Sequence, residues 1–252
     1  MSDLRISRRE MLTGLAALSS AFVSGCLEVD PHDRVWSWLM QAETINRWFT
    51  GGLASPRGVK TYPASAISTD FKINSLNLPD SQRMAALHGW QSWRLQVDGL
   101  VRRPVSLALG DLQRLPSVSQ ITRLDCVEGW SAIAQWTGCR FADLLDRVGV
   151  LPGAKYAVCY SADQDDGGTP FYGSLDLRAA NHPNTLLAYG FNGQTPMPVD
   201  RGAPLRLVLP TQLGYKNTKF LYRISLVPDF SGLGGGKGGY WEDQGYEWYG
   251  GI

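Results

Sequence analysis

From Trp93 to Val227, short stretches with the two-residue alternation of a strand take turns with short helical stretches, and no segment of linker composition separates them. Strand periodicity puts Trp93, Leu95 and Val97 on one side, because successive strand side chains point to opposite faces. Further strands are expected at 120–124, 156–160, 205–209 and 222–227, with helical stretches at 110–115, 140–148 and 176–180. Asp98-Gly99 has the residues of a tight hairpin turn. Strands and helices mixed in this way along the whole length favour a single α+β domain. Ahead of it, Asp30-Pro31 reads as the cap and first residue of an amphipathic helix with apolar Val35, Trp38, Leu39, Ala42, Ile45 and Phe49, which Gly51-Gly52 ends. The stretch from Pro56 to Pro79 is turn-rich and irregular.

With 24 basic against 23 acidic side chains in 252 residues, the chain has no positive excess with which to neutralise a run of phosphates, which excludes nucleic acid as a partner. The N-terminus is an address. Arg8-Arg9 precedes a short apolar run from Met11 to Gly25, too short to span a bilayer and shaped like an export signal. The arginine pair resembles the twin-arginine motif, the route for proteins already folded, so 1–25 is read as a signal peptide and the protein is expected in the periplasm. Val23-Ser24-Gly25-Cys26 resembles a lipobox, which would make Cys26 a lipidation site and tether the chain to a membrane; simple cleavage after Gly25 is the alternative. Cys126, Cys139 and Cys159 then remain. An odd number leaves at least one thiol free or ligating.

Residues 26–68 form the N-terminal helix and lead-in, 69–230 the main domain, and 231–252 a glycine-rich link and aromatic tail. The link, Ser231 to Gly239, is flexible by composition. It is not a phosphate-cradling loop, because Lys237 is followed by Gly238 and Ser231 stands where the first glycine belongs. The tail, rich in Trp and Tyr from Tyr240 to Tyr249, must pack back on the domain or dock elsewhere, and packing back is the simpler reading.

Chemistry concentrates at Cys126-Val127-Glu128-Gly129-Trp130-Ser131, followed by Trp136-Thr137-Gly138. A thiol at a strand end beside Gly129 sits where backbone can approach a ligand closely; a buried structural cysteine is the ordinary alternative. The motif resembles the molybdenum-ligand motif of the sulfite-oxidase-fold molybdopterin oxidoreductases. It is most similar to their bacterial periplasmic branch, which contains the catalytic subunit of methionine-sulfoxide reductase. Ala154-Lys155-Tyr156, His182-Pro183-x-Thr185-Leu186-Leu187, Gly202-Ala203-Pro204-Leu205-Arg206-Leu207 and Leu213-Gly214-Tyr215-Lys216-Asn217-Thr218-Lys219 agree in order, so the resemblance runs from about Thr69 to the C-terminus.

The resemblance implies a domain of sulfite-oxidase molybdopterin-binding type and an enzyme whose cofactors are molybdenum and molybdopterin. Cys126 would be the metal ligand and catalytic residue. Phe71, Asn74, Ser161, Arg201, Arg206, Lys216, Asn217, Thr218 and Lys219 would bind the pterin, whose phosphate calls for fixed cations. A departure bears on substrate: the Arg-Asn-His of true sulfite oxidases reads here Ile73-Asn74-Ser75. Losing two cations disfavours a dianion, although Arg201, in place of a family His, restores one. The expected reaction is therefore reduction of an S- or N-oxide, a small-molecule substrate. No motif for haem or iron–sulfur clusters is visible, so electrons would come from a separate membrane or periplasmic haem protein. The alternatives are a sulfite or small-anion dehydrogenase and, in another class, a non-catalytic lipoprotein that uses the cleft for binding.

Overall fold

The computed structural model of the protein describes residues 41–49, 59–74 and 76–252. The signal segment, Cys26, most of the leading helix and Ser75 lie outside these residues. Of that helix, α1 (Ala42–Phe49) is described. Ile45, placed on its apolar side by spacing, is 57% exposed. The polar positions make the contacts instead: Glu43 accepts a hydrogen bond from the Tyr249 amide at 2.8 Å, and Arg47 pairs with Asp176 at 3.0 Å.

Two sheets carry the domain. Strands β1 (Leu95–Gly99), β2 (Val105–Leu107), β5 (Tyr156–Gln164), β6 (Pro170–Asp176) and β9 (Leu221–Val227) form one, in the order β2-β1-β9-β5-β6. The other is antiparallel throughout, with β3 (Ser117–Asp125), β4 (Ser131–Arg140), β7 (Leu186–Phe191) and β8 (Arg206–Val208) in sequence order. Their apolar faces contribute to one continuous core. Short helices fill the crossovers: α2 (Asp80–Leu87), α3 (Leu109–Gln113), α4 (Phe141–Val148), α5 (Leu177–Ala180) and, near the end, α6 (Tyr240–Asp243). Helix α4 buries Phe141, Leu144, Leu145 and Val148, the three- and four-residue spacing of a single face.

Strand β1 corrects one expectation. Asp98 and Gly99 are not a hairpin turn but the end of β1, paired in parallel with Ser225 and Leu226 of β9; the connection to β2 runs through 100–104. Gly99 is required there by proximity, since a Cβ would lie 2.2 Å from the Leu226 carbonyl oxygen and φ is +79°.

The glycine-rich stretch is a second correction, for it is held in place. Asp243 accepts from the amides of Gly235 at 2.8 Å and Lys237 at 3.1 Å, while the Gly238 carbonyl accepts from Ser174 Oγ at 2.5 Å. A Cβ at Gly234 would meet Tyr172 Oη at 2.1 Å. Glycine here permits close approach of backbone to side chain rather than freedom of the chain. The aromatic tail does pack back: Trp248 Nε1 donates to Ser174 Oγ at 2.8 Å, and the Trp248 ring stacks on Phe230.

Candidate active site

Strands β3 and β4 pair along their whole length, so the five residues between them close a tight turn. The Gly129 amide donates to the Cys126 carbonyl at 3.0 Å and the Cys126 amide to the Trp130 carbonyl at 2.8 Å. Cys126 is thereby fixed at the strand tip, half-exposed. Beneath it lies Gly214, whose Cβ position is 3.6 Å from the Cys126 Cα. The irregular lead-in crosses this hairpin, bonding through the Tyr62 amide to Ile121 and the Ser68 amide to Ile133, and so brings residues 71–74 to the turn. Asn74 Nδ2 reaches to 3.6 Å from Cys126 Sγ. Glu128 accepts from Lys72 Nζ at 2.8 Å and Trp130 Nε1 at 3.0 Å; these bonds, the lysine's first, hold its carboxyl below the usual range.

A cluster of cations shares the cleft with this turn. Arg206, on β8, is 4% exposed, lies 4.6 Å over the Trp136 ring and donates through Nη1 to the Arg201 carbonyl, while its buried Nε has no hydrogen-bond partner among the described residues. Burial first, then the nearby Arg201 charge, brings the Arg206 guanidinium down to about 9. Lys219 falls to about 8, again mainly through burial and then the charge of Arg206; Asp163, at 3.9 Å, partly offsets this. Arg201 donates to the Phe71 carbonyl and stacks on Phe71 and Phe191. Three cations thus face Asp163 and the more exposed Asp200.

Of the residues singled out by sequence, Cys126, Phe71, Asn74, Ser161, Arg201, Arg206, Asn217, Thr218 and Lys219 line one cleft. Lys216 does not. It turns away from the cleft into a buried ion pair with Glu242 of α6; Lys216 closes the 3-10 turn Gly214–Lys216, whereas Lys219 lies beyond that turn, just ahead of β9. Asn217 borders the cleft, yet its amide is engaged by the loop itself, accepting from the Leu209 amide at 2.6 Å and donating to the Leu213 carbonyl at 3.1 Å. Asp163, Phe171, Tyr215, Trp241 and Tyr246 also line the cleft, and only the aromatic density of the tail hinted at any of them.

An orphaned buried guanidinium N–H beside two further cations, in one cleft with a half-exposed thiol, fits a ligand that carries both an anionic group and a thiol-seeking metal. Anion binding by cofactor-free protein should follow Lys219. Charged below about 8 and neutral above it, this lysine should make sulfate bind several-fold more weakly at pH 9 than at pH 7, as read by titration calorimetry.

Residues 81–231 match the family described as oxidoreductase molybdopterin binding domain. The chain belongs to this family. It is a molybdopterin-dependent oxidoreductase, an enzyme with molybdenum and molybdopterin as cofactors, built on the expected α+β domain. It is 37% identical to a putative protein-methionine-sulfoxide reductase subunit, YedZ1, of Azospira oryzae over 98% of this chain and 86% of that one. It is also 33% identical to the protein-methionine-sulfoxide reductase catalytic subunit MsrP of Xanthomonas axonopodis pv. citri, over 87% and 70% of the two chains. Among solved structures, the sulfane dehydrogenase SoxCD of Paracoccus pantotrophus has the same fold, with a TM-score of 0.51 at 20% identity. That similarity covers 69% of this oxidoreductase and 45% of the SoxCD chain.

Proposed function

We propose that this oxidoreductase reduces an S-oxide, with an N-oxide as the related substrate, by oxygen-atom transfer: the oxide takes up two electrons and two protons and yields the sulfide or amine and water. The observation that carries this reading is the charge balance beside the thiol. Lys72, the cation coupled electrostatically to Cys126, is paired with Glu128, and the neighbouring wall is Asn74 with exposed Ile73 and Val127. A neutral oxide is accommodated there, whereas a dianion would find Lys72 already paired with Glu128. The methionine-sulfoxide reductase names of the relatives support the same chemistry.

Bound in the cleft, molybdenum supplies the two-electron centre that side chains lack. Cys126 is its proposed protein ligand, while Arg206, Lys219, Ser161 and Thr218 hold the pterin phosphate end by charge and hydrogen bonds. Arg201, braced on Phe71, fixes the position of the lead-in. The names of the relatives are those of subunits, in keeping with electrons that arrive from a separate haem protein. Export through the Arg8-Arg9 signal to the periplasm, with Cys26 as a lipid anchor, completes the proposal.

A panel assay on molybdenum-loaded enzyme tests it. Reduced viologen with methionine sulfoxide or trimethylamine N-oxide should be turned over, and sulfite with an acceptor dye should react at least about 100-fold less efficiently, the discrimination expected from a mismatched charge. Arg201 gives the small-anion dehydrogenase its one argument. Efficient sulfite oxidation with no oxide reduction would reverse the assignment in its favour.

A further inference from the structure

The segment after the glycine-rich stretch is fastened at several points. Glu242 forms its buried pair with Lys216, Asp243 accepts from Tyr172 Oη at 2.5 Å, and Tyr240 Oη donates to Asp165 at 2.8 Å. Between these anchors stands Trp241. Its ring lies nearly parallel to Phe171, 6.1 Å away at 18°, and to Tyr246, 5.4 Å away at 28°. Tyr246 in turn meets Tyr215 edge-on at 5.3 Å, and Tyr215 follows Gly214, which underlies Cys126. A row of aromatic rings therefore leads away from the thiol along one wall of the cleft.

Despite that anchoring, Trp241 keeps 38% and Tyr246 37% of its surface exposed. Both border the cleft, with exposed Val127 also in its lining. Large rings held rigid with apolar faces left open beside a reaction centre are suited to receive an apolar group, and aromatic rings are good neighbours for a methyl-bearing sulfur. We infer that Trp241 and Tyr246 are specificity-determining residues: they bind the apolar substituent of the oxide and favour bulky or aromatic sulfoxides over the smallest ones. This inference rests on the oxide-reductase reading given above.

The test compares methyl p-tolyl sulfoxide with dimethyl sulfoxide on molybdenum-loaded enzyme. Trp241→Ala should raise KM for the aromatic substrate by about 10-fold, the discrimination a lost apolar contact gives. Its kcat, and KM for dimethyl sulfoxide, should change by less than about 2-fold. Trp241→Phe, which keeps a ring over Phe171, should restore most of the preference and covers the case in which the alanine variant does not fold. Tyr246→Ser should act in the same direction. Equal changes for both substrates would overturn the inference, as would loss of molybdenum or pterin at an unchanged melting temperature, which would give the wall to the cofactor. A wild-type enzyme that reduces no oxide removes the underlying reading; one that reduces both oxides with no preference altered by either substitution removes only the role of the rings.

Discussion

Replacing Cys126 by serine is expected to lower turnover by more than about 100-fold, beyond what the loss of a mere supporting contact to a metal ligand costs, while the melting temperature stays close to that of the parent. A serine alkoxide is a harder donor than a thiolate and shifts the potential of the metal it binds. The other two thiols provide the contrast. Cys139 and Cys159 are fully buried, and burial pushes both up to about 12, so neither presents a thiolate to a ligand. Serine at those positions should cost about 1–3 kcal/mol through a buried hydroxyl short of partners and leave molybdenum content unchanged. Metal analysis, thermal melts and electron paramagnetic resonance of the three loaded variants separate the two kinds of loss. Wild-type turnover and spectrum in Cys126→Ser would remove the proposed ligand role.

The largest effect on stability is expected at Lys216. Breaking a buried ion pair by removing one partner costs about 3–5 kcal/mol, because the other charge is left stranded. Burial already disfavours the charged form on both sides, pushing Lys216 down and Glu242 up, with each charge favoured by its partner. In Lys216→Met the stranded Glu242 should take up a proton. The folded state then holds more protons than the unfolded one above the unfolded carboxyl's ordinary value, so stability should fall as pH rises from 5 to 8. Lys216→Met with Glu242→Leu should recover most of the loss. Chemical denaturation of the single and double variants at the two pH values checks this, and a pH-independent loss would show that Glu242 stays charged.

The sequence was most legible where periodicity and local chemistry agree. Helix α4 repeats its apolar residues at helical spacing, and Trp93, Leu95 and Val97 alternate into the core, so both could be placed in advance. Strand β7 could not, because all six of its residues are buried and a strand covered on both faces loses its alternation. Strand β4 does alternate, but Ala132 and Ala134 mark its inner face too weakly to announce it. In the site, Cys126, Arg206 and Lys219 were found through ordered motifs. Asp163, Phe171 and the tail rings were not, since they reach the cleft through strand pairing and side-chain anchors that no local pattern encodes. Lys216 shows the converse: a motif position places a residue on a loop, and only packing decides which way it points.

The last residues run antiparallel beside the approach to the cation loop. Gln212 bridges to Gly251, the Leu213 amide donates to Gly250 at 2.7 Å, and the Ile252 amide donates to Thr211 at 3.1 Å. Anything joined to Ile252 therefore begins against the chain that, within a few residues, becomes Gly214 under the thiol and Lys219 in the cation cluster. A purification handle fused there would start beside the floor of the cleft, so cofactor occupancy is best compared between fused and handle-free enzyme.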